Sequence, residues 1–113
     1  MLYKFDDNSV HKRKSGHLLH LIQKHLVSIL QSEINDPRIK WVTINKIEFS
    51  KQKSLIYAYY SVLGGDEELN AASKALKSAS SFIKTKLASR MTVYKTPTVK
   101  FIFDVTSIAK KEI

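Results

Sequence analysis

Cysteine is absent from the chain, which excludes disulfide bridges and thiolate metal sites and leaves the compartment open. The only prolines are Pro37 and Pro97, and the only glycines are Gly16, Gly64 and Gly65. No Gly/Ser- or Pro-rich linker therefore divides the sequence, and nothing in it repeats. No apolar run approaches the roughly 18–20 residues that a membrane span needs. The opening "MLYKFDDNSV" lacks the basic-then-apolar pattern of a secretory leader, so the cytoplasm is the default expectation. Carboxylates are few and scattered. Their one cluster, Asp66-Glu67-Glu68, falls at a predicted helix start, where capping explains it. Neither a phosphate-binding GxxxxGK[ST] loop nor a nucleophile elbow is present.

What is there is positive charge on one modest domain. The chain has 113 residues, 43% of them apolar, enough for a single core and too many for a disordered segment. Nineteen Lys and Arg stand against ten Asp and Glu, a net charge of +9. Such a surplus favours a polyanionic partner, most commonly nucleic acid. A lysine-rich surface serving solubility is the alternative, and distribution argues against it. From Ala71 to Phe103 the chain carries Lys74, Lys77, Lys84, Lys86, Arg90, Lys95 and Lys100 and no acidic residue.

The first eight residues read as a loose lead-in. From Ser9 or Ser15 to Ile34 the pattern is helical, with Leu18, Leu19, Ile22, Leu26, Ile29, Leu30 and Ile34 forming one stripe. Pro37 stops the run at Asp36. "WVTINKIEF" and "LIYAYYSVL" read as strands joined by a hairpin through "SKQKS". The first has the polar residues of an edge, and the second the apolar run of a central strand. Trp41, just after the turn, is expected to anchor the core. "GGDEE" breaks the strand and opens a helix that Asp66 can cap. Helical periodicity continues through Leu69, Ala72, Leu76, Ala79, Ile83 and Leu87. After Pro97, Val99, Phe101, Phe103 and Val105 alternate on one face of a last strand. A right-handed crossover would set that strand parallel to the second. The expected fold class is α+β, a three-stranded mixed sheet with helices on one face.

The stretch "KSASSFIKTK", Lys77 to Lys86, is the weak point of the second helical region. One helix from Asp66 to Ser89 would run about 36 Å at 1.5 Å per residue. Strands of six to eight residues span only roughly 20–26 Å. Two shorter helices would fit such a sheet, and serine hydroxyls that compete for backbone hydrogen bonds favour a bend there. At 100° per residue, Lys74, Lys77 and Lys84 fall within an arc of about 80° opposite the apolar stripe, with Ser78 and Ser81 on or beside it. That face can hold a phosphate backbone close to the main chain, or it is simply solvated.

Four segments in order, "ILQSEINDPRIKWVTI", "YYSVLGGDEE", "ALKSASSFIKTKL" and "TPTVKFIFD", resemble the ribosome-binding factor A family from about Leu18 to Asp104. The resemblance implies a KH-like fold of type II order, α-β-β-α-kink-α-β. It also implies a cytoplasmic bacterial factor that binds the small (30S) ribosomal subunit and its 16S rRNA. Such a factor assists late maturation, including 5′-end processing of the precursor, and matters most in the cold. Ordinary KH domains clamp nucleic acid with a GxxG loop, and none exists here. The family has an Ala-x-Gly kink instead, which maps onto Ala79-Ser80-Ser81. Ser81 stands where glycine is usual, so the kink is expected to be shallower or held differently. The tail from 106 to 113 is shorter than is common in the family.

The residues expected to touch RNA are Lys12, Arg13, Lys14, Arg38, Lys74, Lys77, Lys84, Lys86, Arg90 and Lys95. His11, His17, His20 and His25 lie in or near the first helix without a third metal ligand, and read as surface residues. Tyr57 and Tyr59 share a strand face and could stack bases, although cross-strand packing explains them better. The alternative function is a small basic ribonuclease using His17 or His25 with Glu33 as acid and base. Neither catalysis nor cofactor, metal, small-molecule substrate or membrane is called for, and the chain is expected to act as a monomer.

Overall fold

A computed structural model describes residues 2–51, 54–91 and 97–105, with side chains described from residue 16 onward. The apolar stripe of the first helical region becomes the buried face of helix α1 (Leu2–Ser32), with Ile22, Leu26, Ile29 and Leu30 in the core. Leu18, Leu19 and Ile34 pack half-buried against it. The helix starts at Leu2 and not at Ser9 or Ser15. Once a buried segment nucleates a helix, extension into solvent needs no apolar stripe, so residues 2–8 continue its backbone. It also ends two residues before Ile34. The expected tail, 106–113, lies outside the described residues.

Asp36 takes the extended geometry required before proline, φ −127° and ψ 115°, and its carboxylate accepts the Arg38 N–H at 2.9 Å. The resulting 3₁₀ turn, Pro37–Ile39, buries Ile39 to 2% exposure. Ile39 thus takes the anchoring place expected of Trp41, which is 53% exposed.

Strands β1 (Val42–Phe49) and β2 (Leu55–Val62) pair antiparallel, and β2 pairs parallel with β3 (Thr98–Phe103), in sheet order β1-β2-β3. The register shifts at Asn45. This extra residue lets Ile44 and Ile47, three apart, both face the core. In β2 the alternation is strict, with Ile56, Ala58, Tyr60 and Val62 inside. Tyr60 meets the rings of Phe101 and Phe103 edge-on, at centroid distances of 6.4 and 6.0 Å. Val105, expected on that same face, follows the end of β3 and is exposed.

Gly64, at φ +133°, turns the chain out of β2. The cap of helix α2 (Asp66–Ser78) is Gly65 and not Asp66. The Glu68 carboxylate reaches back to accept the Gly65 N–H at 2.6 Å, while Asp66 sits in the first turn, where its charge suits the dipole. Ala79 separates α2 from helix α3 (Ser80–Arg90). Ala72, Ala75, Leu76, Ile83 and Leu87 from these two helices join α1 over the same face of the sheet. The element order is the KH-like one.

The last turn of α3 is tied to the end of α1 through Glu33. Its carboxylate accepts from the Arg90 guanidinium and lies 3.5 Å from the Lys86 ammonium, while Arg90 also donates to the Ser28 hydroxyl at 2.9 Å. Desolvation alone would raise the Glu33 pKa. The Arg90 hydrogen bond and the charges of Arg90 and Lys86 outweigh it and hold the carboxyl below its usual range.

Two predictions follow from these contacts. A depressed carboxyl pKa contributes stability that is full above the ordinary glutamate value, about 4.3, and is lost as pH falls through the lower folded value. Glu33→Gln should therefore be less stable than wild type in urea at pH 7, with the gap closing as pH falls below the ordinary glutamate range. A gap independent of pH would exclude the ionic origin. At Gly64, an added Cβ would lie 2.6 Å from Glu68 Cγ on a backbone side chains rarely adopt. Gly64→Ala should cost about 1–3 kcal/mol in equilibrium unfolding.

Candidate nucleic-acid interface

The break at Ala79 determines which side chains meet at the outer edge of the sheet. Ala79 has φ −87° and ψ −1°, within the range open to residues with a side chain. The backbone bonds on either side, Ala79 N–H to Ala75 O and Ile83 N–H to Ala79 O, are both 2.9 Å. The Ser80 hydroxyl adds a bond to the Lys77 carbonyl at 2.9 Å. Ser81 lies in the first turn of α3, exposed, and its carbonyl accepts from Thr85 Oγ1 at 3.0 Å. A Cβ at position 81 therefore meets no backbone conformation that would demand glycine.

Below the break a groove of about 430 Å³ runs between α2 and β3. Leu76, Val99 and Phe101 line its apolar part, and Lys77, Ser80, Thr98 and Lys100 its polar part. Lys84 joins from α3 by donating to Thr98 Oγ1 at 3.2 Å. Lys74 is exposed one turn earlier on α2. Lys77 and Lys100 line an opening that Lys84 adjoins through Thr98, and no carboxylate lines it among the described residues. Phe82, 42% exposed in the first turn of α3, lies outside this lining, on the Lys86 side of the helix, with that ammonium 5.4 Å from its ring centroid. An apolar floor flanked by lysines suits an unpaired base and its phosphate.

Other candidates lie elsewhere. Lys86 and Arg90 are half-buried and held by Glu33, so they bind α3 to α1. Arg38 is engaged by the Asp36 carboxylate at 2.7 Å. The side-chain hydrogen bond between these two lowers the Asp36 pKa and raises that of Arg38. Lys12, Arg13 and Lys14 lie on α1 with side chains outside the described residues, as does Lys95 altogether. Lys100 belongs to the one-signed stretch but is not among the residues expected to touch RNA. Strand alternation could have found it, because Val99 and Phe101 on the core face turn it outward. Phe82 falls outside the apolar stripe, which is the signal for an exposed ring.

The open face of the sheet is engaged internally. Tyr59 donates to the Glu48 carboxylate, and that hydrogen bond is the main cause of its raised pKa. The Lys46 ammonium lies 5.1 Å from the Tyr59 ring centroid. Asn45 donates to Asp104 at 2.9 Å across the face. Among the described residues no three His, Asp or Glu side chains converge on a possible metal site, and no helix is long and apolar enough to cross a membrane.

Comparison with known proteins places this arrangement. Residues 14–113 match the family model for ribosome-binding factor A. The ribosome-binding factor A of Leuconostoc mesenteroides is 36% identical over 95 residues, covering 83% of this chain and 81% of that protein. The solution structure of a putative ribosome binding factor A from Thermotoga maritima superposes with a TM-score of 0.69 at 34% identity, over 79% of this chain and 85% of its own. A Thermus thermophilus ribosome binding factor A homology model, fitted into the cryo-EM map of a 30S complex of that factor, gives 0.66 at 25% identity, over 80% and 96%. With the α-β-β-α-α-β order and the broken helix pair already described, these matches show that the chain belongs to the ribosome-binding factor A family.

Proposed function

We propose that this chain is a ribosome-associated factor that binds the small ribosomal subunit through its 16S rRNA. The observation that carries the RNA part of this reading is the groove at the helix break, where Lys77 and Lys100 line an apolar floor beside Lys84 and no carboxylate among the described residues lines it. Support for the subunit as partner comes from the family and from the 30S complex into which the Thermus relative is fitted. Lys74 extends the basic face along α2. The finer reading is assistance in late maturation, including 5′-end processing of the precursor. The factor would act as a monomer in the cytoplasm, without catalysis, and would be needed most in the cold. Holding an unpaired strand in one conformation is work that ammonium groups and an apolar floor can do without a general acid or base. The carboxylate that a ribonuclease would require, Glu33, is committed to Arg90 and Lys86.

Binding of this kind releases counterions, so affinity for subunits should fall linearly with salt on logarithmic axes. Lys77→Glu combined with Lys84→Glu, both at exposed positions, should abolish co-sedimentation with small subunits while leaving the urea midpoint near wild type. Single Lys→Ala changes should each reduce the salt slope by about one. Unchanged co-sedimentation of the double variant would contradict the assigned face. Cleavage of precursor RNA by the pure chain, lost on substituting His17 or His25, would contradict the non-catalytic role.

A further inference from the structure

At the end of the sheet away from the lysine groove, two large apolar side chains stand in water. Trp41 is 53% exposed and Leu63 65%. They are neighbours, because the Leu63 N–H donates to the Trp41 carbonyl at 3.2 Å where β1 begins and β2 ends. A second groove, of about 400 Å³, opens between the end of α1 and the 3₁₀ turn, and Lys40 and Val42, the residues flanking Trp41, line it with Leu30, Ile34 and Pro37. Exposed tryptophan offers a large rigid contact area at little entropic cost and is characteristic of interaction sites.

Charge at this corner runs opposite to the rest of the molecule. Segments 36–42 and 62–69 carry Asp36, Asp66, Glu67 and Glu68 against Arg38 and Lys40. Asp36 is satisfied by Arg38, and Glu68 by the Gly65 N–H. Asp66 and Glu67 remain exposed on the first turn of α2. The indole face already takes a cation, with the Lys40 ammonium 5.2 Å from its centroid. A nucleic acid docked here would bring phosphates toward two exposed carboxylates. A polypeptide rich in Lys or Arg, with one apolar residue for the groove, would find an opposite charge, an indole and an apolar slot together.

We propose that the Trp41–Leu63 corner docks a basic polypeptide segment with an apolar anchor, belonging to a protein of the particle whose RNA the lysine groove holds. This rests on the RNA reading above. The eight residues of β2 separate the two ends by about 26 Å at 3.3 Å per residue, so both can be occupied at once. The chain then bridges RNA at one end of its sheet and protein at the other.

A benzophenone amino acid placed at position 41, in the full chain bound to purified small subunits, tests this directly. The expected photoproducts are polypeptide, resistant to ribonuclease and destroyed by protease. Trp41→Ala combined with Leu63→Ser should weaken subunit binding by about tenfold or more and leave affinity for naked precursor RNA unchanged. Glu67→Lys retains both apolar side chains and should weaken subunit binding in the same direction. Because Trp41 is the sole tryptophan, its emission should shift to the blue on subunits and stay in place on naked RNA. Photoproducts in RNA alone, or tighter subunit binding by Glu67→Lys, would overturn this proposal while leaving the lysine groove standing. Loss of RNA binding by the wild-type chain itself would overturn the earlier reading as well.

Discussion

Strands of six to eight residues are roughly 20–26 Å long, and any helix laid along them has to match that length or leave apolar side chains in water. Residues 66–90 hold a continuous apolar stripe but, as one helix, would be too long for the sheet they cover. Their division at Ala79 yields helices of 13 and 11 residues, about 20 and 17 Å at 1.5 Å each. Both can then keep Leu76, Ile83 and Leu87 buried. The break falls at the β3 edge, which brings Lys77 and Lys84 to Thr98 and Lys100. The requirement that buries the core also assembles the candidate interface.

The same helices divide the positive charge between two tasks. Lys86 and Arg90 turn toward α1, where Glu33 accepts both. Lys74 and Lys77 on α2 and Lys84 on α3 stay exposed. Because Glu33 is occupied and no carboxylate among the described residues lines the groove, its lysines stay available for an anionic strand.

Much of this was legible in the residues because burial leaves a period. The stripe in α1, the alternation in β2 and β3 and the stop at Pro37 all follow from which side chains must leave water. Single exposures are harder to read. Trp41 is among the most apolar-bodied residues of its segment, yet the 3₁₀ turn aims Ile39 inward and leaves the indole outside. The bulge at Asn45 adds one residue without any turn signal in the sequence. Lys86 and Arg90 read as RNA ligands because only the three-dimensional packing brings Glu33, more than fifty positions away, against them. Gly65 caps α2 in place of Asp66 since Glu68 can reach back to its N–H, a pairing that spacing alone leaves open. The glycine missing at position 81 has a simple explanation in the backbone, since the break lies at Ala79 with negative φ.

Charge and exposure give the molecule two unlike ends, a basic groove where β3 begins and an apolar, mildly acidic corner where β2 ends. The central claim is that unpaired RNA occupies the first. Backbone amide shifts of the isotope-labelled chain, followed during titration with a single-stranded fragment of the small-subunit precursor RNA, test it most directly. Changes should concentrate on residues 73–84 and 98–101, with 36–42 and 62–69 unmoved. Changes centred on Tyr57 and Tyr59 of the open sheet face, or on Trp41 and Leu63, would contradict it.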